Sequence, residues 1–140
     1  MELLVKFFRL KNRQKILFME TLLLLTMLRI LLQFLPYKQV SDLINKLNFK
    51  SNNEIPLAVV RQAILSVSKH VSFARNCFIK AIAGNILLKK YGHSTTMHIG
   101  AFKEEDKLKA HAWLEINGKV ILGRTEDLNS YVPFLEKAAI

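Results

Sequence analysis

The chain has 140 residues, half of them hydrophobic, a formal charge of +10 and a single cysteine. That length suits about one domain with one sizeable core. One cysteine excludes an internal disulfide and a cysteine-built zinc site, and it fits a reducing, cytoplasmic compartment.

The lysines and arginines are scattered. They form neither an aromatic-interleaved RNA-binding motif nor a DNA-reading helix pair, so no nucleic acid is expected and an acidic peptide or protein fits the charge better.

Residues 16–35 read ILFMETLLLLTMLRILLQFL, long enough to span a bilayer. Glu20, Thr21, Thr26, Arg29 and Gln33 interrupt the stretch, and a charge at bilayer depth costs about 2.5–3.5 kcal/mol. The segment therefore reads as a mostly buried core helix with Thr26, Arg29 and Gln33 on one polar face, and membrane association is not expected. The alternative is an interfacial helix behind the basic stretch between Lys6 and Lys15. No small-residue cleavage site follows, which argues against a signal peptide.

Pro36 stops this helix. A short helix is predicted over 38–47, with Val40, Leu43, Ile44 and Leu47 on one face. After the loop KSNNE, Pro56 suits a first helical position, and Val60, Ala63, Ile64, Val67 and Val71 recur at helical spacing, predicting a helix over 56–71. A fourth helix runs from Cys77 to Tyr91, with Asn85 among its polar positions, and Gly92 ends it.

The pattern then changes. Residues 94–102 and 108–117 are short, β-branched and aromatic. Asn117-Gly118 is a hairpin signal, and Lys119 to Leu122 forms the return strand. The tail 129–140 is read as a last helical turn or two. Helices first and strands after indicate an α+β fold with a small antiparallel sheet. One domain over 1–140 is expected, with an N-terminal helical part (1–50) and a catalytic core (51–140).

The residues that carry chemistry are Cys77 and His111. A thiol becomes a good nucleophile as the thiolate, which a helix N-terminus stabilises. Cys77 stands at a predicted helix start, and His111 follows 34 residues later in a strand, within Ala-His-Ala-Trp-Leu-Glu. An imidazole beside the thiol would serve as its base, and the Cys77 backbone N–H as an oxyanion donor. This order, cysteine on a helix start and then histidine on a strand, is that of papain-like and transglutaminase-like hydrolases. Core packing is the plain alternative for either residue, and His70, His93 and His98 are also available. Trp113 shares a strand face with His111 and either walls a substrate groove or closes the core.

Four stretches carry a resemblance to the stand-alone leader peptidases of lasso peptide biosynthesis, which are transglutaminase-like cysteine proteases. They are the leucine-rich helix ending at Leu35-Pro36, Cys77 through Ala83, the turn Leu87 to Gly92 followed by Ile99-Gly100, and Ala110 to Glu115 with Asn117-Gly118. The histidine motif is the most specific of them.

The resemblance implies removal of the leader from a ribosomally made precursor peptide, which frees the amine that a separate ATP-dependent cyclase joins into the lasso ring. It also implies a separate leader-recognition protein and no cofactor or metal. The other readings are a different transglutaminase-like hydrolase or acyltransferase, a catalytically silent scaffold that binds precursor and cyclase, and a membrane-interface protein.

The family carries an aspartate about twelve residues after the histidine; here that position is Gly123. A two-residue hairpin turn places Arg124 opposite His111, and a three-residue turn places Gly123 there, so neither register supplies a carboxylate. The remaining sources of ring orientation are Glu126 or, preferably, Asp127 from the following loop, and a backbone carbonyl or water.

Overall fold

The computed structural model describes residues 5, 8–9, 11–46, 54–70, 77–123 and 132–138. Four helices precede four strands: α1 (Asn12–Phe34), α2 (Tyr37–Lys46), α3 (Leu57–His70), α4 (Cys77–Lys90), β1 (Thr96–Glu104), β2 (Lys107–Ile116), β3 (Lys119–Leu122) and β4 (Val132–Ala138). The sheet is antiparallel with strand order β3-β2-β1-β4. This is the expected α+β architecture.

α1 begins four residues ahead of the apolar pattern, where the Lys11 N–H donates to Gln14 Oε1 at 3.3 Å. Leu35 turns to an extended backbone before Pro36. Pro56 lies just outside α3, and its carbonyl accepts from the N–H groups of Val59 and Val60 at 3.0 and 3.2 Å. α4 ends in a Schellman cap: His93 N–H donates to Leu88 O at 2.8 Å, Gly92 N–H donates to Lys89 O at 3.2 Å, and Gly92 has φ +94°.

α1, α3 and α4 pack on one another, and α4 lies chiefly along β2. A single apolar cluster joins Leu17, Leu25 and Leu28 of α1, Ile64 of α3 and Leu87 and Leu88 of α4 to Met97, Leu114 and Leu122 of the sheet. Glu20 of α1 accepts from Lys90 Nζ and from the Tyr91 hydroxyl, tying α1 to the end of α4. Burial, and then the Glu20 carboxylate, push the Tyr91 phenol well above the usual tyrosine range.

Gly84 sets the closest approach of α4 to the sheet. A Cβ there would stand 2.5 Å from Leu122 Cδ1 and 2.7 Å from Leu114 Cδ1. Gly84→Val therefore overpacks two buried leucines and is expected to destabilise the fold by about 1–3 kcal/mol, read as a lower urea midpoint. An unchanged midpoint would contradict this close contact.

Four expectations need correction. The tail forms β4, not helical turns. Its FLEKA stretch has helical propensity, but the open edge of β1 supplies a ladder from Ala101↔Val132 to Thr96↔Ala138, and Pro133 is tolerated because β4 is an edge strand. Asn85 is buried at 5% exposure and accepts from the Thr95 hydroxyl, so it is an interior polar group with a partner.

The hairpin turn is two residues long, with φ +52° at Asn117 and +78° at Gly118, but a β-bulge shifts the register between Leu114 and Glu115. Ile116 faces Lys119 and Leu114 faces Leu122, which overturns both counted registers beyond the bulge. Finally, α1 is not mostly buried. Leu17, Phe18, Thr21, Leu24, Leu25 and Leu28 are covered, whereas Ile16, Met19, Leu23, Met27, Ile30 and Phe34 are exposed.

Candidate active site

Cys77 is the first residue of α4 and is half-buried. His111 is half-buried in the middle of β2 and pairs across the ladder with Gly100. α4 and β2 run in the same sense. Gly84 lies over Leu114, and the Thr95–Asn85 hydrogen bond ties the next residue of the helix to the chain entering β1. Seven helical residues back from Gly84 is about 10 Å, and three strand residues back from Leu114 is also about 10 Å. Cys77 and His111 thus belong to the same end of the helix–sheet layer.

Strand alternation puts Ala112 and Leu114 on the face toward α4, and His111, Trp113 and Glu115 on the other. The Trp113 indole is 4% exposed and is flanked by two imidazoles, His98 at 5.3 Å and His111 at 6.1 Å between ring centroids, each about 16° from parallel. Trp113 Nε1–H donates to Glu115 Oε1 at 3.1 Å. His98 Nε2 lies 3.2 Å from Glu115 Oε2, out of line for a hydrogen bond. This layered packing holds His111 in its plane.

Gly123 reaches the ring from across the sheet. Its carbonyl lies 2.5 Å from His111 Nε2. A carbonyl only accepts, so Nε2 carries the proton in this contact. This geometry depends on glycine: φ is +86°, and a Cβ would stand 2.7 Å from Ala112 O and 2.9 Å from Trp113 Cβ. The sequence offered one clue to this contact, a glycine standing where an acid was expected. Among the described residues no hydrogen bond joins Cys77 to His111. Asp127 and Glu126 lie outside the described residues.

The other histidines have their own places. His93 Nε2 lies 2.7 Å from Ile55 O, and His98 stacks on Trp113. His70 lines a groove of about 600 Å³ between α1 and α3, together with Arg9, Phe18 and Gln62 but neither Cys77 nor His111. Among the described residues no three His, Cys, Asp or Glu side chains gather to hold a metal ion.

No curated protein and no solved structure matches the chain. A family model, the transglutaminase-like superfamily, matches residues 23–136, a span that includes α4 with Cys77 and β2 with His111. That match covers most of the chain, and its α+β layout is the one described above: the chain belongs to the transglutaminase-like superfamily.

Proposed function

We propose that the chain is a cysteine peptidase that removes the leader from a lasso peptide precursor, with Cys77 as nucleophile and His111 as base. The observation that carries the catalytic part is the family match across both residues, with the only cysteine on a helix start and the histidine on a packed strand. The superfamily typically includes cysteine peptidases and transferases. The finer assignment rests on the Ala110–Glu115 motif with its Asn-Gly turn, and on the leucine-rich helix ending in Leu-Pro. The precursor peptide is the substrate, with a separate leader-recognition protein and an ATP-dependent cyclase as partners.

In this mechanism Nδ1 of His111 takes the Cys77 proton and the thiolate attacks the scissile carbonyl carbon. The Cys77 backbone N–H donates to the oxyanion. His111 returns the proton to the leaving amine, and the C–N bond breaks to leave a thioester. Water, deprotonated by His111, then releases the leader and restores the thiol. Strand alternation turns the His111 side chain to the face of β2 away from α4, so this mechanism requires the ring and the Cys77 thiol to be brought together in the loaded enzyme. Trp113, stacked beneath the ring, is assigned here to positioning His111 more than to contacting substrate.

Two sources of ring orientation compete, the Gly123 carbonyl and Asp127. If the carbonyl suffices, Asp127→Ala keeps cleavage within about threefold of the parent, since a substitution that leaves the orienting contact in place acts weakly. The assay is cleavage of purified precursor with the recognition protein, followed by mass spectrometry. A loss of about a hundredfold in a folded Asp127→Ala protein would make the aspartate the third member. Failure to cleave any lasso precursor while hydrolysing other acyl substrates would retain the pair and remove the leader-peptidase assignment.

A further inference from the structure

β2 is ten residues long, and β3 covers only one end of it. β1 pairs with β2 from Lys107 to Glu115, whereas β3 pairs only with Leu114, Glu115 and Ile116. Gly123 then closes against the Ala112 carbonyl. From Lys107 to Ala110 the outer edge of β2 is exposed, and among the described residues nothing pairs with it.

The two hairpin turns fix which backbone groups point out of that edge. Residues flanking a two-residue turn exchange both backbone hydrogen bonds, and the direction then alternates along the strand. Glu104 and Lys107 flank the turn at Glu105 and Asp106, so Lys107, Lys109 and His111 bond toward β1. Ile116 and Lys119 flank the turn at Asn117 and Gly118, so Ile116 and every second residue before it point the other way. The bulge skips a residue of β3 and leaves the alternation of β2 intact. Both turns therefore turn the N–H and C=O of Leu108 and of Ala110 outward, about 6.8 Å apart.

We infer that this edge is a subsite for the substrate, which binds as an extended peptide strand laid beside the strand that carries His111. The identity of that peptide rests on the peptidase reading above; the edge itself does not. Donors and acceptors that alternate at strand spacing are matched by an extended backbone, which adds a strand to the sheet. The Ala110 N–H would donate to a peptide carbonyl, and the Ala110 carbonyl would accept from a peptide N–H.

Position selects the substrate as the occupant. Ala110 directly precedes His111. Its side chain shares the face of Ala112 and Leu114, toward α4 with Cys77 at its first residue, whereas His111 points to the other face. An edge borders both faces, so a peptide bond lying along it is approached by the thiol from one side and the imidazole from the other. Leu108 is 75% exposed on the α4-facing side, which favours an apolar residue opposite it in the bound strand. The other edge of the sheet, on β4, lies two strands from His111.

The test reads amide hydrogen exchange by nuclear magnetic resonance on the full chain carrying Cys77→Ala, isotope-labelled. Two unlabelled probes are added separately. One is the lasso precursor with its recognition protein, and the other is a capped hexapeptide of alternating valine and threonine. The outward amides of Leu108 and Ala110 exchange quickly in the free protein, while those of Lys109 and His111 are bonded to β1. With precursor, exchange at Leu108 and Ala110 is expected to slow at least about tenfold, with little change at Lys109 and His111. Precursors N-methylated at one residue at a time around the scissile bond should lose cleavage by the parent protein at every second position only.

A precursor that is cleaved without slowing Leu108 and Ala110 overturns the proposal, and so does a failure of both probes to slow them. Slowing that grows with protein concentration in the absence of peptide gives the edge to a second copy and likewise overturns it. If the hexapeptide slows both amides while no lasso precursor is bound or cleaved, the edge site stands and the leader-peptidase reading fails.

Discussion

Under the proposed function, replacing Cys77 with alanine is expected to abolish precursor cleavage, by about 10⁴-fold or more, while the protein stays folded. The size of the effect follows from the mechanism. Without the sulfur there is no acyl-enzyme, and the site offers only orientation and oxyanion donors to a direct attack by water. The small effect on stability follows from position. Cys77 is half-buried at a helix start, outside the apolar cluster of Leu25, Leu87 and Leu114, so losing its sulfur leaves no closed cavity. Cys77→Ser should be equally inactive, because an alcohol is far harder to ionise than a thiol. Mass spectrometry of leader and core peptide reads both variants. Mature product at the parent rate from Cys77→Ala would leave the scaffold reading, in which the chain only presents the precursor.

The second large effect runs against intuition. Writing an aspartate into Gly123, where the family carries its acid, should not complete a triad. It should instead reduce activity by about a hundredfold, the scale of a small misplacement at a catalytic group. Gly123 has φ +86°, and a Cβ there meets Ala112 O at 2.7 Å and Trp113 Cβ at 2.9 Å. The strand cannot give way cheaply at Ala112 or Trp113, which are 1% and 4% exposed. The backbone at 123 has to move, and the carbonyl that accepts from His111 Nε2 moves with it. The ring then loses the contact that fixes its tautomer. Gly123→Ala should do nearly as much harm as Gly123→Asp, since the damage comes from the Cβ. Recovery of activity in Gly123→Asp above the parent would show that a carboxylate fits there.

The helices and the hairpin were legible because their signals are local. Periodic valines and isoleucines mark α3, a cysteine-led apolar run capped at Gly92 marks α4, and Asn117-Gly118 marks the turn at the right length. What escaped is non-local. β4 exists because β1 leaves an edge to be paired, and nothing in FLEKA announces that. The bulge near Leu114 and Val120 moves the register by one residue, so counting outward from the turn gives the wrong partner for Leu114. α1 is apolar around most of its circumference, which hides which side faces the core; only the packed structure separates Leu24 and Leu25 from Leu23 and Met27. A backbone carbonyl was among the sources open to the His111 ring, but no sequence signal marks which carbonyl reaches it; the structure supplies that of Gly123.

The central claim is that Cys77 and His111 act as one unit, and the reactivity of Cys77 measures it directly. It is the only thiol in the protein, so every alkylation event reports on it. With iodoacetamide at neutral pH, in the presence of precursor and recognition protein, His111→Ala is predicted to slow Cys77 alkylation at least about tenfold, because the imidazole that takes the thiol proton is gone. The same rate in parent and His111→Ala proteins, both folded, would contradict the pairing on which this account rests.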